Sequence, residues 1–390
     1  MNEMKRIIYA DNAATTKISK SALDAIMPYL SNEYGNPSSL YSLAQNTRQA
    51  VENARIKVAQ AIGALPEEIY FTGGGTESDN WAVKSAVEMN ADKGRHIITS
   101  AIEHPAVMNT IKNLEEKGWE VTYLGVDDVG QISLEELQLA IRDDTVLITI
   151  MTANNEIGTI LPISEIGEIA RKRNILFHTD AVQAVGHIPV NVKELNVDLL
   201  SISGHKFGGM KGTGVLYIKK GLRLPPLHHG GGQERKLRSG TENVAGIISL
   251  SAALEDAVSC LSTDIVVKMR DRLIEELLKI PRTRLTGDPV NRLPGIASFV
   301  FEGIEGESMV LMLDQCGICA SSGSACSSDS LEPSHVLLAI GLPHVIAHGS
   351  LRLSLNKDNS IEEIDYILEK LPEIVAKLRS MSPLWDESKS

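Results

Sequence analysis

The sequence has few cysteines for its length, which excludes a fold built on disulfides. Its 390 residues include only four cysteines, whereas small secreted disulfide scaffolds are dense in them. Basic residues are also in the minority: 38 lysines and arginines against 50 aspartates and glutamates give a formal net charge of -12. Nucleic acids and anionic membranes repel such a protein, so we expect a small molecule or a basic protein as its partner.

Long apolar runs are missing as well. No stretch approaches the roughly 20 apolar residues that cross a bilayer, and residues 1–9 lack the apolar core of a signal peptide. We therefore expect a cytoplasmic protein whose thiols stay reduced, in which any conspicuous cysteine is a candidate for chemistry. With 43% hydrophobic residues, the chain can bury the cores of two to three domains.

Short β-branched runs alternate with helical patterns over much of the chain. This alternation is typical of βαβ units on a mostly parallel sheet flanked by helices, so the predicted fold class is α/β. Helices are predicted at 80–90, 106–117 and 163–173. The seven predicted strands are 68–72, 96–100, 120–124, 146–151, 175–180, 199–203 and 214–218.

A smaller α+β domain is predicted to begin near residue 262. Helical patterns at 244–261 and 264–279 flank this boundary, and a helix at 361–379 opens with the capping residue Ser360. Between them we predict strands at 296–301 and 350–354 and a helix at 308–315. The predicted domains are 16–262 (large), 1–15 with 263–380 (small, including a cysteine loop at about 321–332), and a C-terminal tail at 381–390.

Two motifs follow buried strands directly, where open α/β sheets bind their ligands. In Ser203-Gly204-His205-Lys206, a lysine hemmed by small residues can be desolvated and can form a Schiff base with an aldehyde. In His178-Thr179-Asp180, the carboxylate is placed to pair with the ring nitrogen of pyridoxal phosphate, and Gln183 could donate to the phenolic oxygen. Taken singly, Lys206 could be a surface lysine and Asp180 a helix cap.

Further strand ends add to this pattern. Thr72-Gly73-Gly74-Gly75-Thr76 exposes N–H groups at a predicted helix N-terminus, where a phosphate is favoured. Its glycines are contiguous and no Gly-Lys-Ser/Thr follows, which excludes a Walker loop and a dinucleotide fingerprint. His104 could stack on a pyridine ring and move protons, although a lone histidine is more often structural. Asn155 ends another apolar strand, and the joint occurrence of these elements predicts one ligand crevice.

Together these motifs resemble the class V aminotransferases of fold-type I, the pyridoxal-phosphate-dependent transferases, and within them the NifS/IscS-type cysteine desulfurases. The similarity runs through nearly the whole chain. The strings that carry it are Asp11-Asn12-Ala13-Ala14-Thr15-Thr16, Tyr34-Gly35-Asn36-Pro37-Ser38-Ser39, Gly75-Thr76-Glu77-Ser78-Asp79-Asn80, Glu103-His104-Pro105-Ala106-Val107, Asn154-Asn155-Glu156-Ile157-Gly158, Arg238-Ser239-Gly240-Thr241-Glu242-Asn243 and Ser321-Ser322-Gly323-Ser324-Ala325-Cys326-Ser327.

The resemblance implies a homodimer that uses pyridoxal 5'-phosphate, bound in the large domain, to remove sulfur from L-cysteine. Lys206 would carry the cofactor, and Thr241 would reach in from the second subunit. Arg352 would bind the substrate carboxylate at two points, helped by Asn155 and Asn36. The implied cofactor-binding residues are Gly75, Thr76, His104, Asn155, Asp180, Gln183, Ser203, His205, Lys206 and Thr241.

Cys326 completes the implied catalytic set with Lys206 and His104. Its Ser/Gly/Ala-rich setting favours a loop, which suits a nucleophile that must take sulfur and deliver it elsewhere. The resemblance implies a persulfide on Cys326, passed to an iron–sulfur scaffold or another acceptor protein, and a transient iron–sulfur ligand role shared with such a scaffold. Cys316 and Cys319 have Cys-x-x-Cys spacing, but this zinc pattern is incomplete and we expect them to pack.

Other activities stay open at this point. An aminotransferase of the same fold needs no loop thiol, so Cys326 favours desulfuration. A selenocysteine lyase is compatible with the same residues. A non-catalytic relative would not need Lys206, Asp180, His104 and Cys326 together.

Overall fold

The computed structural model describes residues 7–261, 264–323, 332–383 and 385. The strands are β1 Ile8–Tyr9, β2 Ile69–Thr72, β3 His96–Ser100, β4 Glu120–Leu124, β5 Thr145–Thr149, β6 Leu176–Asp180, β7 Leu199–Ser203, β8 Gly214–Ile218, β9 Thr283–Leu285, β10 Ile296–Phe301, β11 Ile318–Cys319 and β12 Ser350–Ser354. The helices are α1 Lys20–Ser31, α2 Ser42–Ala61, α3 Gly75–Met89, α4 Pro105–Glu115, α5 Leu134–Ala140, α6 Ile163–Lys172, α7 Val244–Ser259, α8 Ile265–Leu277, α9 Gly306–Gln315, α10 His335–Ala339, α11 His344–Ala347 and α12 Ile361–Met381.

Strands β2 to β8 form one sheet in the order β2-β8-β7-β6-β5-β3-β4. The pairings from β4 to β7 are parallel, whereas β8 is antiparallel to both of its neighbours. The predicted mostly parallel, seven-stranded sheet is thereby confirmed within the described residues. None of the described helices has the length and apolar character needed to span a membrane.

Both faces of this sheet are buried. Successive strand residues point to opposite faces, and the two faces feed separate core clusters: Ile98, Ile148 and Leu200 belong to one, and Ile97, Leu147 and Leu199 to the other. This double coverage explains why all five residues of each of β3, β5 and β7 are buried, where a half-exposed strand would alternate.

The carboxyl ends of several strands meet at one edge of the sheet. Strands β3, β5, β6 and β7 are parallel, so the residues that follow them emerge on the same side. Strand β2 is antiparallel to β8, which is antiparallel to β7, and these two reversals give β2 the same direction as β7. The glycine turn after β2 therefore lies at the same edge as Lys206.

The C-terminal third of the chain builds smaller sheets. Strands β12, β10 and β9 form an antiparallel sheet, and β1 pairs in parallel with β11. A further core cluster joins the N-terminal residues Ile8 and Ala10 to side chains of this region, including Leu273, Phe299 and Leu353. The division of the chain near residue 262 stays a prediction.

Several helices have no counterpart among the sequence predictions. The helix α2 was missed because its buried face includes Thr47 and Arg55 next to small residues, which hides the apolar periodicity. The helices α1 and α5 were also missed. Helix α3 begins at Gly75 and not at residue 80. The apolar periodicity does not reveal this start, because the buried residues near it include the polar Ser78 and Asp79.

Candidate active site

A cavity of about 930 Å³ opens at the carboxyl-end edge of the large sheet. Its walls come from the segments that follow β2, β3, β5, β6 and β7, the location expected for a ligand in an open α/β sheet. The C-terminal region contributes Gly323, His335 and Arg352. The sequence-predicted site residues that line the cavity are Gly75, Thr76, His104, Asn155, Asp180, Gln183, Ser203, His205, Lys206 and Arg352.

Lys206 follows β7 in a short helical turn, Gly204–Lys206. Its Nζ donates hydrogen bonds to the carbonyl oxygens of Ala13 at 2.7 Å and Ala14 at 2.9 Å. Behind it, the His187 ring lies with Nε2 at 3.0 Å from the Lys206 carbonyl oxygen. Burial lowers the pKa of His187, so a neutral ring with its proton on Nε2 fixes the backbone of Lys206.

Asp180 is the last residue of β6 and is only 5% exposed. Its Oδ1 accepts a hydrogen bond from the Val182 N–H at 2.9 Å, which stabilises the turn at residues 182–184 and does not cap a helix. Burial raises its pKa, while His104 and Lys206 act in the opposite direction. Burial and the nearby Asp180 also raise the pKa of Asp79 well above its ordinary value. A cation next to Asp180 would therefore stabilise its ionised form.

The glycine turn after β2 forms a narrow cradle at the N-terminus of α3. Gly74 adopts φ +148°, a conformation that favours glycine. A Cβ on Gly75 would lie 2.7 Å from a methyl carbon of Val182 and 3.4 Å from the Cβ of Ser203. A side chain at position 75 would therefore collide with Val182. The first-turn N–H groups of a helix suit an anion such as phosphate.

His104 and His335 are two of the histidines that line the cavity. His104 caps α4, and its Nδ1 accepts a hydrogen bond from the Ala106 N–H at 3.1 Å. Burial lowers its pKa, so the neutral ring carries its proton on Nε2. His335 opens α10, and its Nε2 lies 3.0 Å from the Glu103 carbonyl oxygen, which can only accept. Burial lowers the pKa of His335 too.

His205 and Gln183 are held by the N-terminal segment. His205 Nδ1 lies 3.0 Å from the Thr15 hydroxyl. Burial, followed by the positive charge of Lys206, lowers the pKa of His205 to about 4. Gln183 Nε2 donates to the Ala13 carbonyl oxygen at 2.9 Å, which leaves its second N–H available for a ligand.

Arg352 in β12 is 2% exposed yet lines the cavity. Its Nη1 donates to the Asn155 carbonyl oxygen at 2.7 Å, and its Nη2 donates to Asp11 Oδ1 at 3.0 Å. Its buried Nε has no hydrogen-bond partner among the described residues. A guanidinium with an unsatisfied buried donor can bind a ligand carboxylate.

The remaining predicted site residues either are absent from the described cavity lining or fall outside the described residues. Asn36 and Thr241 are described and exposed, but they are not among its lining residues. Cys326 lies outside the described residues, although Gly323, three positions earlier, lines the cavity. Cys316 packs against the C-terminal core cluster, and Cys319 is in β11. Among the described residues, no group of three or more His, Cys, Asp or Glu side chains is arranged to hold a metal ion.

Some cavity residues were not identified as site residues from the sequence. Glu156 and His335 line the cavity, and Asp11 pairs with Arg352. Asp11 and Glu156 do occur in the strings that carry the family resemblance, which was the available signal. His335 had no comparable signal, because its position depends on a contact with the backbone of Glu103, far away in the sequence.

Comparisons with known proteins place the chain in a family. Residues 8–367 match the family model described as aminotransferase class-V. The chain belongs to the class-V aminotransferase family. It is 58% identical to the cysteine desulfurase IscS of Methanosarcina thermophila, covering 97% of this chain and 94% of the relative. It is 51% identical to the cysteine desulfurase IscS of Clostridium botulinum strain Hall, covering 98% of both chains.

Solved structures agree with this assignment. A structure titled NifS-like protein matches with a TM-score of 0.90 and 41% identity, covering 96% of this chain and all of that one. A structure titled SspA in complex with cysteine matches with a TM-score of 0.80 and 38% identity, covering 89% and 98% of the two chains. These neighbours confirm the predicted fold-type I class.

Enzymes of this family depend on pyridoxal phosphate. The residues of this chain fit that cofactor. The glycine cradle next to Val182 suits its phosphate, the buried carboxyl of Asp180 suits a protonated ring nitrogen, and the amine of Lys206 lies in the same cavity.

Proposed function

We propose that this protein is a pyridoxal-phosphate-dependent cysteine desulfurase that converts L-cysteine to L-alanine and leaves the sulfur on Cys326. The observation that supports it most is the convergence of Lys206, Asp180 and Arg352 on one cavity that Gly323, three residues before Cys326, also lines. The similarity to curated cysteine desulfurases over almost the whole chain favours this chemistry over transamination.

Different residues would bind different parts of the cofactor. Lys206 would attach it, Asp180 would pair with its ring nitrogen, and His104 would stack on the ring. When bound, pyridoxal phosphate supplies an electron sink for the substrate. Gln183 would bind the phenolic oxygen and Asn155 would add a polar contact. The residues proposed to hold the phosphate are Gly75, Thr76, Ser203, His205 and, from the second subunit, Thr241.

Arg352 orients the substrate. Its guanidinium is fixed by Asp11 and by the Asn155 carbonyl oxygen, so it loses little side-chain freedom when it binds a carboxylate. The free Nε donor supports a second contact to the same ligand. We propose that Asn155 and Asn36 help Arg352 to bind the substrate.

His104 holds a proton at a defined atom. Because the Ala106 N–H occupies its Nδ1, its Nε2 is the position that can donate a hydrogen bond or a proton. Burial lowers the pKa of His104, which keeps the ring neutral near pH 7 and suits it to proton exchange with the substrate.

Cys326 receives the sulfur. Its thiolate attacks the sulfur of the bound cysteine, a new S–S bond forms, and the C–S bond of the substrate breaks. The two electrons of that bond stay on the substrate carbon, which takes up a proton and leaves as alanine. The thiol is oxidised to a persulfide as the carbon is reduced, so no further oxidant is needed.

We propose a homodimer, because Thr241 is exposed and does not line the cavity of its own chain. We propose a cytoplasmic location, where thiols are kept reduced, and an iron–sulfur scaffold or another sulfur-acceptor protein as the recipient. A transient iron–sulfur ligand role of Cys326 belongs to the same proposal.

Alanine production from cysteine tests the function. The wild type should form alanine in the presence of a thiol that releases the persulfide. Cys326→Ser should keep the cofactor and still change its spectrum with cysteine, yet form no alanine, because a hydroxyl is a much weaker nucleophile than a thiolate near neutral pH. Cys319→Ser is the matched control and should stay active. Alanine formation at the wild-type rate by Cys326→Ser would overturn the proposal.

A further inference from the structure

Two distant parts of the chain meet at the carboxylate of Glu156. This side chain is 6% exposed and lines the cavity. The Ser334 hydroxyl donates a hydrogen bond to Glu156 Oε2. A Cβ added to Gly323 would lie 3.2 Å from the same oxygen. Gly323 directly precedes residues 324–331, and Ser334 follows them closely. The buried carboxylate is therefore hydrogen-bonded to the chain just after that segment and lies next to the residue just before it.

Glu156 is also fixed to the wall that contains Arg352. Its N–H and that of Ile157 donate to Asn154 Oδ1, at 2.8 and 3.0 Å. The carbonyl oxygen of the preceding residue, Asn155, accepts a hydrogen bond from Arg352 Nη1. The backbone next to Glu156 therefore binds the guanidinium of Arg352, and the side chain of Glu156 binds Ser334.

Ser334 links Glu156 to the N-terminus of α10. Its Oγ accepts hydrogen bonds from the N–H groups of Val336 at 3.1 Å and Leu337 at 3.4 Å, so it is the N-cap of that helix. With its lone pairs used by the cap, the hydroxyl proton points to Glu156. The next residue, His335, lines the cavity.

The buried position of the Glu156 carboxyl group requires a structural explanation. Burial raises the pKa of Glu156 to about 7, while the Ser334 hydrogen bond and the charge of Arg352 lower it. Burying a carboxyl group is costly without partners, and none of the chemical steps proposed above uses Glu156.

We propose that Glu156 is a positioning residue that fixes Ser334, and with it the chain that follows the segment containing Cys326, against the wall that binds the substrate carboxylate. The inference rests on the proposed function, since it matters for catalysis only if Cys326 attacks a cysteine held by Arg352. A nucleophile misplaced by ~1 Å can lose a factor of ~100 in rate.

Single-turnover alanine formation tests this role. Glu156→Ala should slow it about 10-fold to 100-fold, with the KM for cysteine nearly unchanged, because Arg352 keeps its contacts. Glu156→Gln should restore most of the rate, since an amide oxygen still accepts from Ser334. Ser334→Ala should resemble Glu156→Ala, and the double variant should be no slower than the slower single variant, because both remove one contact.

Two matched controls separate positioning from general destabilisation. Glu68 is likewise 6% exposed but lies outside the cavity lining, so Glu68→Ala should leave the single-turnover rate unchanged. Ser133 caps α5 as Ser334 caps α10, so Ser133→Ala controls for the loss of a cap. An equal loss of rate in the control variants, a Glu156→Gln variant as slow as Glu156→Ala, or an effect on KM alone would each overturn the proposal.

Hydrogen exchange supplies a readout that does not depend on the reaction. The amides of Val336 and Leu337 should exchange faster in Glu156→Ala than in the wild type, and at the wild-type rate in Glu156→Gln. Unchanged exchange in Glu156→Ala would overturn the proposal whatever the activity. If the wild type formed no alanine, the proposed function would fail, and the exchange result would still decide whether Glu156 fixes Ser334.

Discussion

Arg352 Nη2 lies 3.0 Å from Asp11 Oδ1, and the two residues are 341 positions apart in the sequence. This ion pair joins the start of the chain to β12 at the wall of the cavity. Arg352 is 2% exposed and Asp11 is partly exposed, so the pair supplies a negative partner for a buried guanidinium that lines the cavity. It also connects the N-terminal segment that contacts Lys206 to the proposed substrate site.

Arg352→Lys should raise the KM for cysteine by about 10-fold to 100-fold, since a lysine lacks the planar fork that binds a carboxylate at two points and charged hydrogen bonds contribute about 1.5–3 kcal/mol. The cofactor should remain bound, because Arg352 is not among the residues proposed to hold it. Steady-state kinetics over a range of cysteine concentrations measure this effect. Arg284→Lys, on β9 and outside the cavity lining, is the control, and an equal rise in KM there would argue against the assignment.

Lys206→Ala should abolish turnover and the covalent attachment of the cofactor. Lys211 offers a matched control, because it also lines the cavity. Borohydride reduction followed by peptide mass analysis should find the cofactor fixed to Lys206 in the wild type and in Lys211→Ala, and to no residue in Lys206→Ala. A reduced linkage that persists in Lys206→Ala would identify a different lysine.

Thr241 should act across the dimer. In a heterodimer of a Thr241→Ala chain and a Lys206→Ala chain, both defects fall in one compound site, and the other site has an intact Lys206 and an intact Thr241. Mixing the two variants under subunit-exchange conditions should therefore restore activity. The measurement is alanine formation before and after mixing, and an absence of any gain would count against a shared site.

The sequence was sufficient to predict the residues at strand ends, because a strand followed by a short polar motif is a local signal. Asp180, Lys206 and the glycines at 73–75 are of this kind, and the structure brings them to one cavity. Contacts between distant segments gave no such signal. Asp11 with Arg352, Glu156 with Ser334 and His335 with Glu103 depend on how the C-terminal region packs on the large sheet.

The pH dependence of stability should contain a contribution from Glu103. Burial raises the pKa of this carboxyl group from its ordinary value of 4.5 to about 8. The folded state therefore binds the proton more tightly than the unfolded state, and this stabilisation is lost as the pH rises from about 4.5 to about 8. Its size is at most a few kcal/mol, at about 1.4 kcal/mol per pKa unit.

Glu103→Gln should flatten this dependence. Its side-chain oxygen can still accept from the Ser100 hydroxyl and the Met151 N–H, but it no longer titrates. Denaturant unfolding of the wild type and the variant between pH 5 and pH 8 should show that only the wild type loses this component as the pH rises. Parallel curves for the two proteins would show that Glu103 does not titrate in this range.

The location of the transferred sulfur tests the central claim most directly. The wild-type enzyme would receive a brief pulse of cysteine, followed by alkylation and mass analysis of the peptides. The proposed mechanism predicts one additional sulfur on Cys326 and none on Cys316, Cys319 or Cys260. Sulfide released with no sulfur bound to Cys326, or an additional sulfur on another cysteine, would contradict it.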